Sequence, residues 1–158
     1  MANSSEAATA PKFVADALTV CKVQVLHLSL DDTLPPLAGS SQYAFKSEAD
    51  ILFNALEADQ LRVDVHTTIM VRAKTRPAGA GKMRVRAQLA VVFRYQGLDN
   101  LRQTGKLPLP LAWTAVSLAY STMRGQLQAR LAGTSFGEAC LPVVSPQQLW
   151  QPPALAAE

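Results

Sequence analysis

Apolar and polar residues alternate with period two over three long stretches of the chain, and a helical period governs a fourth. Tyr43, Phe45, Ala49, Ile51 and Phe53 alternate with Lys46, Glu48, Asp50 and Asn54. Leu61, Val63, Val65, Ile69 and Val71 alternate with Arg62, Asp64, His66, Thr68 and Arg72. From Met83 to Tyr95 the pattern returns, with Val85, Ala87, Leu89, Val91 and Phe93 set against Arg84, Arg86, Gln88 and Arg94. Successive side chains of a strand point to opposite faces, so alternation this long predicts half-buried antiparallel strands. Pro77, Gly79 and Gly81 turn the chain between the last two and make them a hairpin. Leu18 to Leu30 is strand-like too, but its phase slips. Leu18 and Val20 share one parity, Val23 and Val25 the other, and Leu26, Leu28 and Leu30 return to the first. A bulge, or burial on both faces, would produce this. Between that stretch and Tyr43, prolines 35 and 36 and Gly39 break regular structure, leaving Leu34 and Leu37 on a long connection.

Pro110 to Leu131 reads as a long helix. Trp113, Val116, Tyr120, Met123 and Leu127 recur at spacings of three and four and share one face. Ser117, Ser121, Gly125 and Ala129 form a second stripe made only of small side chains. Glycine inside a helix costs about 1 kcal/mol against alanine, so close approach of another layer is the expected reason for Gly125. Gln96 to Pro110 reads as a loop into this helix, whose start is fixed by Pro108 and Pro110. Beyond Leu131 the chain turns back. Ser145, Pro146 and Gln148 then open a short helix carrying Leu149 and Trp150, which Pro152 and Pro153 end. The fold class is therefore α+β: a four-stranded antiparallel sheet with one long helix and a short C-terminal one. Residues 1–12 read as a disordered lead, 13–151 as the domain and 152–158 as a flexible tail.

A helix of 22 residues is about 33 Å long and about 10 Å across. A four-stranded sheet is about 19 Å wide, and a hairpin of 13-residue strands about 44 Å long. One helix covers less than half of such a face. The tail helix, another subunit or a ligand has to close the rest, and an oligomer is the favoured answer.

Composition narrows the function classes. Of 158 residues, 49% are apolar and 17% charged, as in globular proteins. The net charge of +3 is modest and suits a solvated basic face. Arg62, Arg72, Arg84, Arg86 and Arg94 could make a basic sheet surface. Phe93 and Tyr95, however, lie on the apolar parity, so the aromatic platform of RNA-binding sheets is missing and nucleic acid is not the expected partner. Cys21 and Cys140 stand far apart in no metal-type spacing and are expected as reduced thiols. The first residues have neither the basic stretch nor the apolar run of a signal peptide, and no apolar run nears the ~18 residues of a membrane span, so no signal peptide and a soluble, cytoplasmic protein without membrane insertion are expected.

Catalytic material is scarce. His27 and His66 have no ligand at a recognisable spacing. Asp31 and Asp32 are adjacent, diverge in extended backbone and suit the start of a turn. Ser40 and Ser41 lack the context of a nucleophile elbow, and Gly79 to Gly81 joins strand to strand, unlike a phosphate-cradling loop. No enzyme, metal site or cofactor is expected. Apolar surface, by contrast, is in surplus: Leu34, Leu37, Trp113, Phe136, Leu149 and Trp150 lie in connections or at helix ends. Together they suggest a groove that accepts apolar segments of another molecule.

The order of elements, and the stretch from Leu118 to Trp150, resemble the protein-export chaperone SecB and its SecB-like relatives. The residues carrying the likeness are Ala119, Tyr120, Ser121, Thr122, Arg124 and Gly125, then Gly133, Thr134, Leu141, Pro142, Pro146 and Leu149. The resemblance implies a homotetramer built as a dimer of dimers, with the long helices packed between two sheets. Trp113, Ser117, Tyr120, Ser121, Gly125 and Ala129 would then be interface residues. It also implies ATP-independent holding of unfolded or nascent polypeptides, through Leu34, Leu37, Tyr43, Phe45, Phe136, Leu149 and Trp150. The chain departs from the exporting members, which resemble one another in an acidic character that serves docking to the translocation motor. Here the isoelectric point is near 9.1 and the tail has no acidic run, which argues against motor docking. SecB-like proteins dedicated to one partner, such as an antitoxin, are the alternative.

Overall fold

The computed structural model describes residues 12–31, 42–72, 84–105 and 107–152. Leu34 and Leu37, the turn containing Pro77, Gly79 and Gly81, nearly all of the expected lead, and the tail from Pro153 lie outside the described residues. Within them run the strands β1 (Leu18–Leu30), β2 (Tyr43–Phe53), β3 (Gln60–Val71) and β4 (Arg84–Tyr95). They form one antiparallel sheet in the order β1-β4-β3-β2, which leaves β1 and β2 at its edges. Helices α1 (Leu98–Gln103), α2 (Leu109–Leu131) and α3 (Pro146–Leu149) follow.

The phase slips of β1 are bulges. Its register against β4 jumps between Val20 and Lys22 and again between Val25 and His27, so that Cys21 and Leu26 face no partner residue. Each extra residue resets the parity. As a result Leu18, Val20, Val23, Val25, Leu28 and Leu30 all stand opposite buried residues of β4, from Tyr95 to Val85, on one face of the sheet.

That face carries the core. Leu61, Val63, Val65, Ile69 and Val71 of β3, with Val85, Leu89, Val91 and Phe93 of β4, are buried beneath α2. The helix turns Leu111, Ala115, Val116, Ala119, Tyr120, Met123, Leu127 and Leu131 onto them, and packs over β3, β4 and β2. Each large apolar side chain removed from water contributes about 1.5–3 kcal/mol. β1 lies beyond this cover: Val20 and Val23 face the core side yet remain 49% and 44% exposed.

The returning segment is tied to α2 by residues of the stretch from Tyr120 to Gln148. Gly133 has φ 78°, the left-handed conformation that ends a helix, and the Thr134 hydroxyl donates to the Leu131 carbonyl at 2.7 Å. Tyr120 donates its hydroxyl to the Pro142 carbonyl at 2.9 Å, and Arg124 Nε donates to the Leu141 carbonyl at 3.1 Å. Ser145 N–H donates to Gln148 Oε1 at 3.2 Å in the expected capping box, with Pro146 at the first helical position. One element differs from the sequence reading. Residues 98–103, expected as loop, form the short helix α1, which buries Leu98 and Leu101. Six residues hold too few turns to show a period, whereas burying two leucines repays the ordering of one and a half turns.

Candidate functional site: an apolar groove beside the C-terminal helix

At the end of the sheet where β2 stops and α2 begins, the elements do not close on one another. The last residues of β2, Ile51 and Phe53, form one side. Leu98 and Leu101 of α1 form a second, and Leu107 and Leu109 at the entrance to α2 a third. Trp150, held just past α3, completes a groove of about 580 Å³. A second hollow of about 500 Å³ runs along the edge of β2, past Ala49, Asp50 and Leu149. Both hollows touch Ile51 and Trp150, so the indole stands where they meet.

The groove stays open for a local reason. Phe53 is the last residue of its strand and is 44% exposed, while Leu52 and Leu109 are also largely exposed. Phe53 lies at the end of its strand, beside the first turn of α2, where Leu109 is itself exposed. A concave, mostly apolar surface with few polar groups is the usual form of a binding site.

The residues expected to bind peptide fall into three sets. Leu149 and Trp150 come together at the second hollow, the first buried and the second half-buried. Phe45 is half-buried and packs against the core. Tyr43 and Phe136 are turned inward, at 1% and 0% exposure, with ring centroids 5.5 Å apart, and the Tyr43 hydroxyl donates to the Ser135 carbonyl. Their place in the chain's own interior reflects the fit of two rings under the returning segment, which neither the strand position of Tyr43 nor the connection position of Phe136 revealed. Sequence reasoning missed Ile51, Phe53, Leu98, Leu101, Leu107 and Leu109. The proline spacing at 108 and 110 and the strand-end position of Phe53 were the available signals.

Of the expected interface residues, Tyr120 is buried within the chain and Trp113 is half-buried. Burial raises the Tyr120 phenol above its ordinary value of 10.0. Ser121, Gly125 and Ala129 are exposed and Ser117 half-exposed, on the side of α2 away from the sheet. Nothing lies within 4 Å of a Cβ placed on Gly125. Thr114 and Thr122, near the same stripe, turn their hydroxyls back to the Pro110 and Leu118 carbonyls at 2.7 and 2.8 Å. Their polar groups are thus satisfied within the helix.

The other face of the sheet is polar and internally paired. Arg62 Nη2 donates to Asp64 Oδ2 at 2.7 Å, and that bond holds the guanidinium above its ordinary value. Arg94 lies 2.8 Å from Asp59, and Arg84 lies 4.0 Å from Asp31. His66 faces Asp50 at 3.9 Å from the neighbouring strand. Among the described residues no group of three or more His, Cys, Asp or Glu is placed to hold a metal ion. Among them, too, no helix is long and apolar enough to cross a membrane.

No protein-family model and no curated protein sequence matches the chain. Among solved structures, it is similar to the Mycobacterium tuberculosis SecB-like chaperone in complex with a ChAD peptide from the HigA1 antitoxin. The two share 13% sequence identity at a TM-score of 0.56, over 83% of this chain and 92% of that one. A four-stranded antiparallel sheet, a long helix across it and a short C-terminal helix are common to the sequence reading, the structure and this neighbour: the chain has the SecB-like fold.

Proposed function

We propose that the protein is an ATP-independent chaperone that holds unfolded or nascent polypeptide, taking apolar segments into the groove around Trp150. The observation that carries this reading is the groove itself. Its hollow of about 580 Å³ is lined by apolar side chains, among which Phe53 and Leu109 are exposed and Trp150 is half-buried. Holding needs no bond making, so the reading asks for no catalytic residue and no cofactor. Its work is apolar burial, which is non-directional and tolerant of sequence. Self-association belongs to the same proposal. A dimer of dimers requires two distinct self-complementary surfaces on each subunit. The uncovered inner face of β1 and the smooth outer side of α2 are two such surfaces, on separate elements. The long helix carries only Arg124 and Arg130 as charged residues, and a helix so poor in charge is usually covered on both sides.

A direct test is a fluorescence titration of the Trp113→Phe variant, which leaves Trp150 as the only indole, with an unstructured apolar peptide and no nucleotide. The emission of Trp150 should shift to the blue and saturate. An emission unchanged by the peptide would count against the groove. The second reading, a chaperone dedicated to one partner, is favoured by the solved neighbour, whose ligand is an antitoxin peptide. Capture of one stoichiometric partner, without a spread of unfolded clients, would favour it over general holding.

A further inference from the structure

The groove is apolar except for one cation. Among the described residues Arg102 is the single charged member of its lining. The guanidinium lies over the Phe53 ring, with Cζ 5.3 Å from the centroid. Nη1 donates to the Asn54 carbonyl at 2.8 Å and points to the Ala58 carbonyl at 3.4 Å. These contacts fix the head group but use one nitrogen, leaving Nε and Nη2 without an acceptor among the described residues. Arg62, Arg84 and Arg94 each face a carboxylate, whereas no carboxylate lies within 4.0 Å of Arg102 there.

A guanidinium already oriented gives up little freedom when an anion arrives, and its fork matches a carboxylate. Beside aromatic and leucine side chains that bond is screened less than on an open surface. We propose that the groove takes an apolar polypeptide segment that carries a carboxylate side chain, which pairs with Arg102 while neighbouring apolar residues pack around Trp150. The inference rests on the reading of the groove as a polypeptide site and adds the chemistry of its occupant. A lysine in the same register would meet Arg102 as a like charge, so the groove selects against basic segments.

The test uses the full chain and three dansyl-labelled nonapeptides, blocked at the C-terminus, composed of leucine, phenylalanine and serine. They differ only in a central glutamate, glutamine or lysine. The glutamate peptide should bind roughly five- to ten-fold more tightly than the glutamine peptide, and the lysine peptide most weakly. In Arg102→Gln the preference for the glutamate peptide over the glutamine peptide should disappear. Equal binding of all three to the parent overturns the inference and leaves the groove reading standing. Binding of none overturns both. Decanoate that binds tightly, with the glutamate peptide no better than the glutamine peptide, assigns Arg102 to a small amphiphile and also overturns it. The comparison among peptides is made on the parent, so it holds even if the variant folds poorly.

Discussion

Trp150 and Tyr120 divide the work of the C-terminal segment between them. Tyr120 secures the segment to α2 through the Pro142 carbonyl, and Trp150 presents an indole to the groove where the segment ends. Trp150→Ala should therefore weaken binding of an apolar peptide by at least about ten-fold, as expected for a central aromatic anchor. Because the half-buried indole also packs against the core, the substitution should lower the melting temperature as well; isothermal titration below the melting transition and a thermal melt measure the two effects. Tyr120→Phe should act on stability alone, costing about 1 kcal/mol by chemical denaturation with little change in affinity. Its pH dependence has a definite sign. Burial raises the phenol above 10.0 in the folded state, so its contribution is fully present below pH 10.0 and is lost as pH rises through the raised value. The parent should lose stability above pH 10.0 more steeply than Tyr120→Phe. The position of Trp150 at the end of the short helix pointed to a hollow there, although the indole also packs in part against the core. The burial of Tyr43 and Phe136 was not readable in the sequence, because it depends on how the returning segment folds over the edge of β2.

Elements were readable where a period ran long enough. β2, β3 and β4 each hold their alternation through at least eleven residues, and they form as the pattern requires. The irregular phase of β1 was equally informative, since the two slips fall where the bulges lie. Helix α1 escaped because its signal is a single pair, Leu98 and Leu101, and that short helix supplies one side of the groove. For α2 the periodicity named both faces, but one chain shows only what covers the first. Gly125→Leu tests the second. Within a single chain a Cβ at this position has nothing within 4 Å, and the helix gains about 1 kcal/mol in intrinsic propensity. If a second copy packs there, overpacking costs about 1–3 kcal/mol and is repeated in every subunit. Light scattering should then find a smaller assembly, or aggregation, beside the parent. An unchanged oligomer with a raised melting temperature would place Gly125 in solvent.

For the molecule as a whole, the surfaces left uncovered are the informative ones. Among the described residues, the inner face of β1 and the groove at the end of β2 leave apolar side chains open, and the outer side of α2 presents small ones. The proposed self-association would cover the face of β1 and the outer side of α2. The concave groove would take a segment of another chain. The polar face of the sheet, with its arginines largely paired to aspartates, offers no comparable excess. The sequence announced the surplus of apolar surface but not its location, because several groove residues come from different elements and meet only after folding. The central claim is that this surface holds unfolded polypeptide without nucleotide. The most direct measurement follows light scattering as a chemically denatured client is diluted into buffer with a several-fold excess of the protein and no ATP. The account predicts that the client stays dispersed with the parent and scatters more strongly with Trp150→Ala. A client that aggregates as fast with the parent as in buffer alone would contradict it.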